Sequence, residues 1–270
     1  MDLSERVAVV TGGASGIGRA LAGRIAAAGA RGVVVADLDR AGAEAVAAQV
    51  GDGALGIGCD VSDDASVGEL IARAEEAFGP IDLFFANAGV GTGSGLDAPD
   101  ELWERSWAVN VNAHVLAARR LVPGWLERGE GYFVSTASAA GLLSQIGDAP
   151  YSVTKHAAVA FSEWLSLTYG DRGLRVSCLC PMGVNTAMLN AGLDMEDEHG
   201  LGARVVAAAG RVLEPEDVAD EVLRAVSEER FLILPHAEVG EFLRRKGADP
   251  DRWLAGMRRL QAHVMGPPPA

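Results

Sequence analysis

The first apolar run of the chain, Val7–Thr11, passes directly into Thr11-Gly12-Gly13-Ala14-Ser15-Gly16-Ile17-Gly18, and a helical pattern follows. No other stretch restricts the possible folds as strongly. Glycines 12, 16 and 18 stand in a G-x-x-x-G-x-G spacing at a strand–turn–helix junction. Glycine permits the tight turn and lets a pyrophosphate lie against bare backbone. The helix that follows turns its first amides and the positive end of its dipole toward the phosphates. Gly12, Ser15, Gly16, Ile17 and Gly18 are therefore expected to cradle a dinucleotide.

The rest of the chain supplies the sheet that such a turn serves. Short, continuous apolar runs recur at Val33–Ala36, Leu55–Cys59, Leu83–Ala86, Tyr132–Ser135, Val176–Cys180 and Phe231–Leu234. Unbroken runs of this length read as strands covered on both faces. Between them, apolar residues recur every three or four positions in Leu21–Ala28, Val67–Phe78, Leu102–Leu126, Ala157–Tyr169 and Val218–Val226. This alternation predicts an α/β fold: a Rossmann-type, doubly wound, parallel seven-stranded sheet with helices on both faces, in a single domain. Residues 1–237 form its catalytic and cofactor-binding body. The long, Gly-, Ala- and Met-rich connection 186–211 reads as a substrate lid. Residues 238–270 add helices over Glu238–Lys246 and Arg252–Val264 and a frayed Gly-Pro-Pro-Pro-Ala tail.

Several residues fall at the carboxyl ends of strands, where such sheets bind ligands. Asp37 ends the second strand, 19 residues after Gly18. An acidic residue there accepts hydrogen bonds from ribose hydroxyls and repels a 2′-phosphate, which favours NAD over NADP. Two alternatives stay open: Asp37 paired with Arg40 at a strand end, or Arg19 or Arg40 receiving a 2′-phosphate. Asp60-Val61 follows the third strand and Asn87-Ala88-Gly89 the fourth. Asp60 is placed to accept from an adenine amino group.

The chemistry-bearing candidates lie further on. Tyr151 and Lys155 are four residues apart, on one face of a helix. A phenol is a poor base near neutrality, and an adjacent ammonium lowers its pKa. The chain has only two lysines, Lys155 and Lys246, so a lysine here is not background. Ser138, 13 residues before Tyr151, follows the fifth strand and reads either as a holder of the substrate oxygen or as a turn cap. Asn110 sits inside a helical pattern, where asparagine is a mediocre former, and Asn112 competes for the same buried polar role. His156 faces away from its neighbour Lys155 and reads as structural. Cys178 and Cys180 read as core packing, not as a metal site.

In order and spacing, the glycine motif, Asn87-Ala88-Gly89, Asn110, Ser138 and Tyr151-x-x-x-Lys155 resemble those of the short-chain dehydrogenases/reductases, in the roughly 250-residue branch that makes one large domain. The resemblance runs from about Leu3 to Pro235. It implies that Tyr151 is the general acid/base and that Ser138 orients the substrate oxygen. It also implies that Lys155 holds the nicotinamide ribose and lowers the tyrosine pKa, and that Asn110 holds a relay water. Pro181, Val184 and Thr186 would join the cofactor site, the last two at the carboxamide. It further suggests a homotetramer or homodimer formed through the helices Leu102–Leu126 and Ala157–Tyr169. The chain departs from the family at Ala86, where Asn is frequent, at Met182, where Gly is frequent, and in its C-terminal extension, which would cover the site or a neighbouring subunit.

These readings predict an NAD(H)-dependent oxidoreductase that interconverts a secondary alcohol and a ketone. Gln145, Met182 and Met188, with Ser138 and Tyr151, are expected at the substrate, and Leu142, Leu143 and Leu189 are further wall candidates. The apolar set favours a bulky hydrophobic substrate. A non-catalytic NAD-sensing module would not need Ser138, Tyr151 and Lys155 together, and a sugar epimerase or dehydratase resembles a longer chain. The net charge of −14 argues against a nucleic-acid partner, which wants a basic face. No apolar run approaches the ~20 residues of a membrane span. The polar start Met1–Arg6 carries no leader pattern, and three cysteines do not make a disulfide framework. A cytoplasmic, metal-free protein is expected.

Overall fold

Seven apolar strands pair side by side: β1 (Val7–Thr11), β2 (Gly32–Asp37), β3 (Ala54–Gly58), β4 (Leu83–Ala86), β5 (Gly131–Thr136), β6 (Leu174–Leu179) and β7 (Leu232–Ile233). In this computed structural model they form one parallel sheet in the order β3-β2-β1-β4-β5-β6-β7. The structure describes residues 1–265, with Glu198 lacking a described side chain, so the expected frayed tail at 266–270 lies outside the described residues.

The helices are α1 (Gly16–Ala27), α2 (Arg40–Val50), α3 (Asp64–Phe78), α4 (Asp100–Trp107), α5 (Ala113–Arg128), α6 (Ala140–Leu143) and α7 (Ala149–Tyr169). They continue with α8 (Ala187–Leu193), α9 (Leu201–Ala209), α10 (Pro215–Ser227), α11 (Ala237–Ala248) and α12 (Pro250–Met265). Strand side chains alternate between two cores. Ala8 and Val10 of β1 pack with Leu21 of α1, Val46 of α2 and Val222 of α10. Val7 and Val9 pack on the other face with Leu70 of α3, Leu121 of α5 and Leu165 of α7. The fold is thus a doubly wound, Rossmann-like single domain with helices on both faces.

Several boundaries differ from the sequence reading. The sixth strand begins at Leu174, two residues earlier than expected, and ends at Leu179. The seventh is reduced to Leu232–Ile233, because only Cys178 and Leu179 pair with it. The expected helix Leu102–Leu126 is broken by a π turn over Ala108–Asn112, which shifts the ladder between α4 and α5. The segment 186–211 holds α8, α9 and a short 3₁₀ turn at Glu198–Gly200. α2 gave little periodic signal because its buried face is mainly alanine, Ala43 and Ala47 with Val46.

Small residues set how closely helices approach the sheet. Gly131 opens β5 against the face of Trp125, and a Cβ there would overlap the indole. Trp125 is buried, and its Nε1 donates to Ile81 O at 2.8 Å. Gly131→Ala is expected to cost about 1–3 kcal/mol through overpacking. Thermal denaturation should show a Tm lower by several degrees, with the parallel-sheet signature retained.

Candidate active site

The strand order reverses between β1 and β4, and a cavity of about 1020 Å³ opens at the carboxyl ends of the strands there. Its first end is backbone. Ser15 caps α1 without a side-chain hydrogen bond, and no acidic residue stands in the first turn. The leading amides of α1 are therefore left without side-chain partners where Ser15, Gly16 and Ile17 line the wall. Gly12 and Gly16 have φ of 65° and 50°. A Cβ on Gly12 would come within 2.9 Å of Ala88 Cα, and one on Gly16 within 3.0 Å of Thr186 Cγ2. This bare, amide-rich cradle fits a pyrophosphate. Gly18 stands behind the wall, where a Cβ would overlap Gly12 O. Its part is to let α1 sit against the turn. Gly13, passed over in the sequence, does the same against Val35, whose Cγ1 lies 2.6 Å from a Cβ built there.

Asp37, Asp60, Val61, Ala88 and Gly89 also line the cavity. Asp37 Oδ2 accepts from Ala14 N at 3.0 Å, and its Oδ1 accepts from Asp39 N at 3.0 Å. Arg40 pairs with Glu44 at 2.7 Å and not with Asp37, and Arg19 donates to Gln49 Oε1 at 3.1 Å. Asp60 Oδ1 accepts from Ser62 N at 2.9 Å. Asn87 lines the wall but spends its side chain on the frame. Its Nδ2 donates to Thr11 O at 3.0 Å and its Oδ1 accepts from Thr136 Oγ1 at 3.2 Å, which ties β1, β4 and β5 together.

At the other end, α7 carries Tyr151 and Lys155 one turn apart. Lys155 is 2% exposed, and its Nζ donates to Thr136 O at 2.9 Å. Burial lowers its pKa from 10.5 to about 8. The same Nζ lies 5.6 Å from the centroid of the Tyr151 ring. Ser138 is buried; its Oγ accepts from Ala140 N at 3.1 Å. The Tyr151 phenol departs from the sequence expectation. Desolvation pushes its pKa above the usual value, the Ser138 hydroxyl draws it back, and Asp148 adds to the rise. Lys155 lies over the ring, and the phenol stays raised all the same.

Asn110 is fully buried and Asn112 exposed, which decides between the two. Asn110 lies behind the wall. Its Oδ1 accepts from Val90 N at 2.9 Å, and its Nδ2 donates to Val90 O at 2.9 Å and Thr154 Oγ1 at 3.1 Å. Asp148, which the sequence reading missed, accepts from Thr92 N, Gly93 N and Thr92 Oγ1, each at 2.7 Å, and from Tyr151 N at 3.0 Å. An Asp-x-x-Tyr spacing at a helix start was its only signal.

Pro181, Met182, Val184, Thr186, Met188 and Leu189 line the far wall. Leu142 and Leu143 do not. Leu142 packs with the buried Cys178 and Cys180 instead. Gln145 reaches the cavity, but its Nε2 donates to Gly202 O at 3.0 Å and Ile146 O at 3.2 Å, strapping the segment 186–211 down. That segment leaves and rejoins the body at a parallel bridge between Val184 and Leu213. His236 pins the junction: Nδ1 accepts from Met182 N at 3.2 Å, and Nε2 donates to Gly183 O at 3.0 Å and Arg211 O at 3.1 Å. Nothing in the sequence distinguished this histidine. The C-terminal helices pack within the chain: α12 contacts α9, and Lys246 Nζ donates to Leu142 O at 2.6 Å. His156 Nδ1 donates to Ser152 O at 2.8 Å. Among the described residues, no group of three or more His, Cys, Asp or Glu is placed to hold a metal ion.

The sequence profile described as short chain dehydrogenase matches residues 6–197. The chain belongs to this family. Among its relatives, the 1-deoxy-11-beta-hydroxypentalenate dehydrogenase of Streptomyces exfoliatus is 36% identical over 277 aligned residues, covering 100% of this chain and 94% of that protein. The 2-(S)-hydroxypropyl-CoM dehydrogenase 3 of Xanthobacter autotrophicus is 36% identical over 86% of this chain and 93% of its own length. A short chain dehydrogenase/reductase from Burkholderia phymatum, solved in complex with NAD, superposes with a TM-score of 0.84 at 32% identity, covering 93% of this chain and 96% of that one. This short-chain dehydrogenase is accordingly placed among the oxidoreductases. Among the described residues, no helix is long and apolar enough to cross a membrane.

The buried ammonium of Lys155 has a measurable consequence. Its depressed folded pKa means that the unfolded state binds more protons between about 8 and 10.5, so stability rises with pH across that window. Below it, the strain of holding the charge is on the order of 3 kcal/mol. Lys155→Met should therefore raise the denaturation midpoint at neutral pH while activity is lost. Its advantage over the native chain should shrink as pH climbs from about 8 toward 10.5.

Proposed function

We propose that this short-chain dehydrogenase interconverts a secondary alcohol and a ketone with NAD(H), on a substrate that is mainly apolar. The observation that carries the reading is the convergence of Ser138, Tyr151 and Lys155 on the same cavity as the glycine cradle. Gly12, Ser15, Gly16 and Ile17 would hold the pyrophosphate, Asp37 the adenosine ribose, and Asp60 and Val61 the adenine. Asn87, Ala88, Gly89, Pro181, Val184 and Thr186 would enclose the nicotinamide half. When bound, the nicotinamide accepts or donates the hydride and, in its oxidised form, brings a positive charge to the site.

The chain's own residues then manage the proton. Ser138 Oγ donates a hydrogen bond to the substrate oxygen and fixes its orientation. In alcohol oxidation, Tyr151 Oη as phenolate removes the hydroxyl proton; in ketone reduction, the phenol returns it. Lys155, held by Thr136 O, binds the nicotinamide ribose and stabilises the phenolate. Any relay water at Asn110 would use an atom other than Nδ2, whose hydrogens go to Val90 O and Thr154 Oγ1.

Three further points support the finer reading. Asp37 stands where a 2′-phosphate would be repelled, and Arg19 and Arg40, both engaged elsewhere, are outside the wall. Met182, Met188, Leu189, Met195 and Val206 make the substrate end apolar, and adaptable methionines suit a bulky ligand. Exposed Trp164 and Leu167 on α7 favour a homodimer or homotetramer, and the acidic, disulfide-free chain suits the cytoplasm.

Tyr151→Phe is expected to lower kcat about 10²–10⁴-fold while NADH binding, followed by fluorescence, persists. Full turnover in that variant would overturn the assignment. Steady-state rates should favour NAD over NADP, and Asp37→Ser should narrow the preference. Across alcohols of graded polarity, kcat/KM should rise with apolar bulk; faster oxidation of polyols would contradict the substrate class.

A further inference from the structure

The loop after β4 runs beside the helix that carries Tyr151. Val90, Gly91, Thr92 and Gly93 line the cavity. A Cβ on Gly91 would lie 3.6 Å from Asp148 Oδ2 and 3.9 Å from Tyr151 Cδ2, so the loop covers the tyrosine ring directly. Asp148 joins the two elements. It is 7% exposed, and its carboxylate accepts four hydrogen bonds. Oδ2 takes the amides of Thr92 and Gly93. Oδ1 takes Thr92 Oγ1 and the amide of Tyr151 itself. The backbone adds Ala149 N donating to Ser94 O at 2.9 Å. The same loop seats the segment over the cavity: His199 Nδ1 donates to Gly93 O at 3.0 Å.

We propose that Asp148 is a positioning residue for the reaction: one carboxylate locks the Thr92–Gly93 turn onto the first turn of α7 and so fixes where the Tyr151 phenol meets the substrate. An N-cap alone needs one acceptor. Here three of the four bonds go to the loop, not to the helix. The inference rests on the reading of Tyr151 as the acid/base. It also has an electrostatic side. The groups that face the phenol are Lys155 on its own helix, Asp148 at the helix cap and Cys180 at the end of β6; Arg105 of α4 and His199 line the same cavity. Cys180 is held neutral by Cys178 and burial, which push its thiol far up. Asp148 is thus the one anion beside the phenol among the described residues, and it holds the phenol's pKa up.

Two variants separate positioning from helix capping. Asp148→Asn keeps the size but turns an NH₂ toward N–H donors. Asp148→Ser retains a good N-cap while losing the charge and the bonds to Thr92 and Gly93. For both, alcohol oxidation should show kcat lower by about tenfold or more, as displaced reacting groups do. The acidic limb of the pH–rate profile should move to lower pH, because the phenolate has lost an anionic neighbour. NADH affinity of Asp148→Ser should stay near that of the native chain, while its melting point falls modestly from the lost loop bonds. Unchanged kcat and pH profile in both variants would overturn the proposal. So would a rise in KM alone, or equal losses of folding and cofactor binding in Asp148→Ser. Tyr151→Phe run alongside distinguishes the failures. If that variant keeps turning over, the functional reading fails. If it is dead while both Asp148 variants match the native chain, only the clamp fails.

Discussion

A lysine ammonium buried without a carboxylate is the constraint around which this molecule is arranged. Lys155 Nζ is held by the carbonyl of Thr136, and among the described residues no carboxylate balances its charge. Burying a cation without a partner is costly, and the fold tolerates it because everything nearby is fixed by other means. α7 is pressed against the sheet through Ala158, Val159 and Leu165. The ends of β1, β4 and β5 are knitted by Asn87, Thr11 and Thr136. An ammonium placed this way is available to a ribose and a phenolate rather than to a protein anion.

The two sides of the cavity are built by different physics. The glycine end is backbone: a helix start without a side-chain cap bond, two glycines with positive φ, and close approaches at Gly12 and Gly16 that admit no side chain. The chemical end is side chains, each locked by hydrogen bonds to elements distant in sequence. Asn110 holds Val90, Asp148 holds Thr92 and Gly93, and His236 holds Met182, Gly183 and Arg211. The covering segment 186–211 is accordingly fastened at its base by His236 and the Val184–Leu213 bridge, and at its tip by His199 and Gln145.

What could be read from the sequence follows the same division. The strands, and the place of the glycine turn, Asp37 and the Tyr151–Lys155 pair along one cavity, announce themselves through local pattern and fixed spacing, so they were legible. α2 was faint because alanine gives little periodic contrast, and α8 and α9 were hidden in a segment too short and too glycine-rich for a helical period. Asp148, Gln145 and His236 act on backbone atoms far away in the chain, 56 positions for Asp148 to Thr92, 57 for Gln145 to Gly202 and 54 for His236 to Met182, and no local pattern encodes such contacts. The pKa of Tyr151 was misjudged for a related reason. The nearby lysine is visible in the sequence, whereas the desolvation that raises the phenol depends on the whole cavity. Leu142 and Leu143 were expected at the wall as part of an apolar set, yet neither lines the cavity and Leu142 packs toward Cys178 and Cys180.

The central claim is that Tyr151 exchanges the substrate proton and that its phenol, held up by burial, is brought into range by the charge of an oxidised nicotinamide beside Lys155. The most direct measurement is an ultraviolet titration of the tyrosinate band, taken as the difference between the native protein and Tyr151→Phe, with and without NAD⁺. The account predicts a phenol that titrates above the ordinary tyrosine value on its own and at distinctly lower pH with NAD⁺ bound. A Tyr151 titration that does not move when NAD⁺ binds would contradict it.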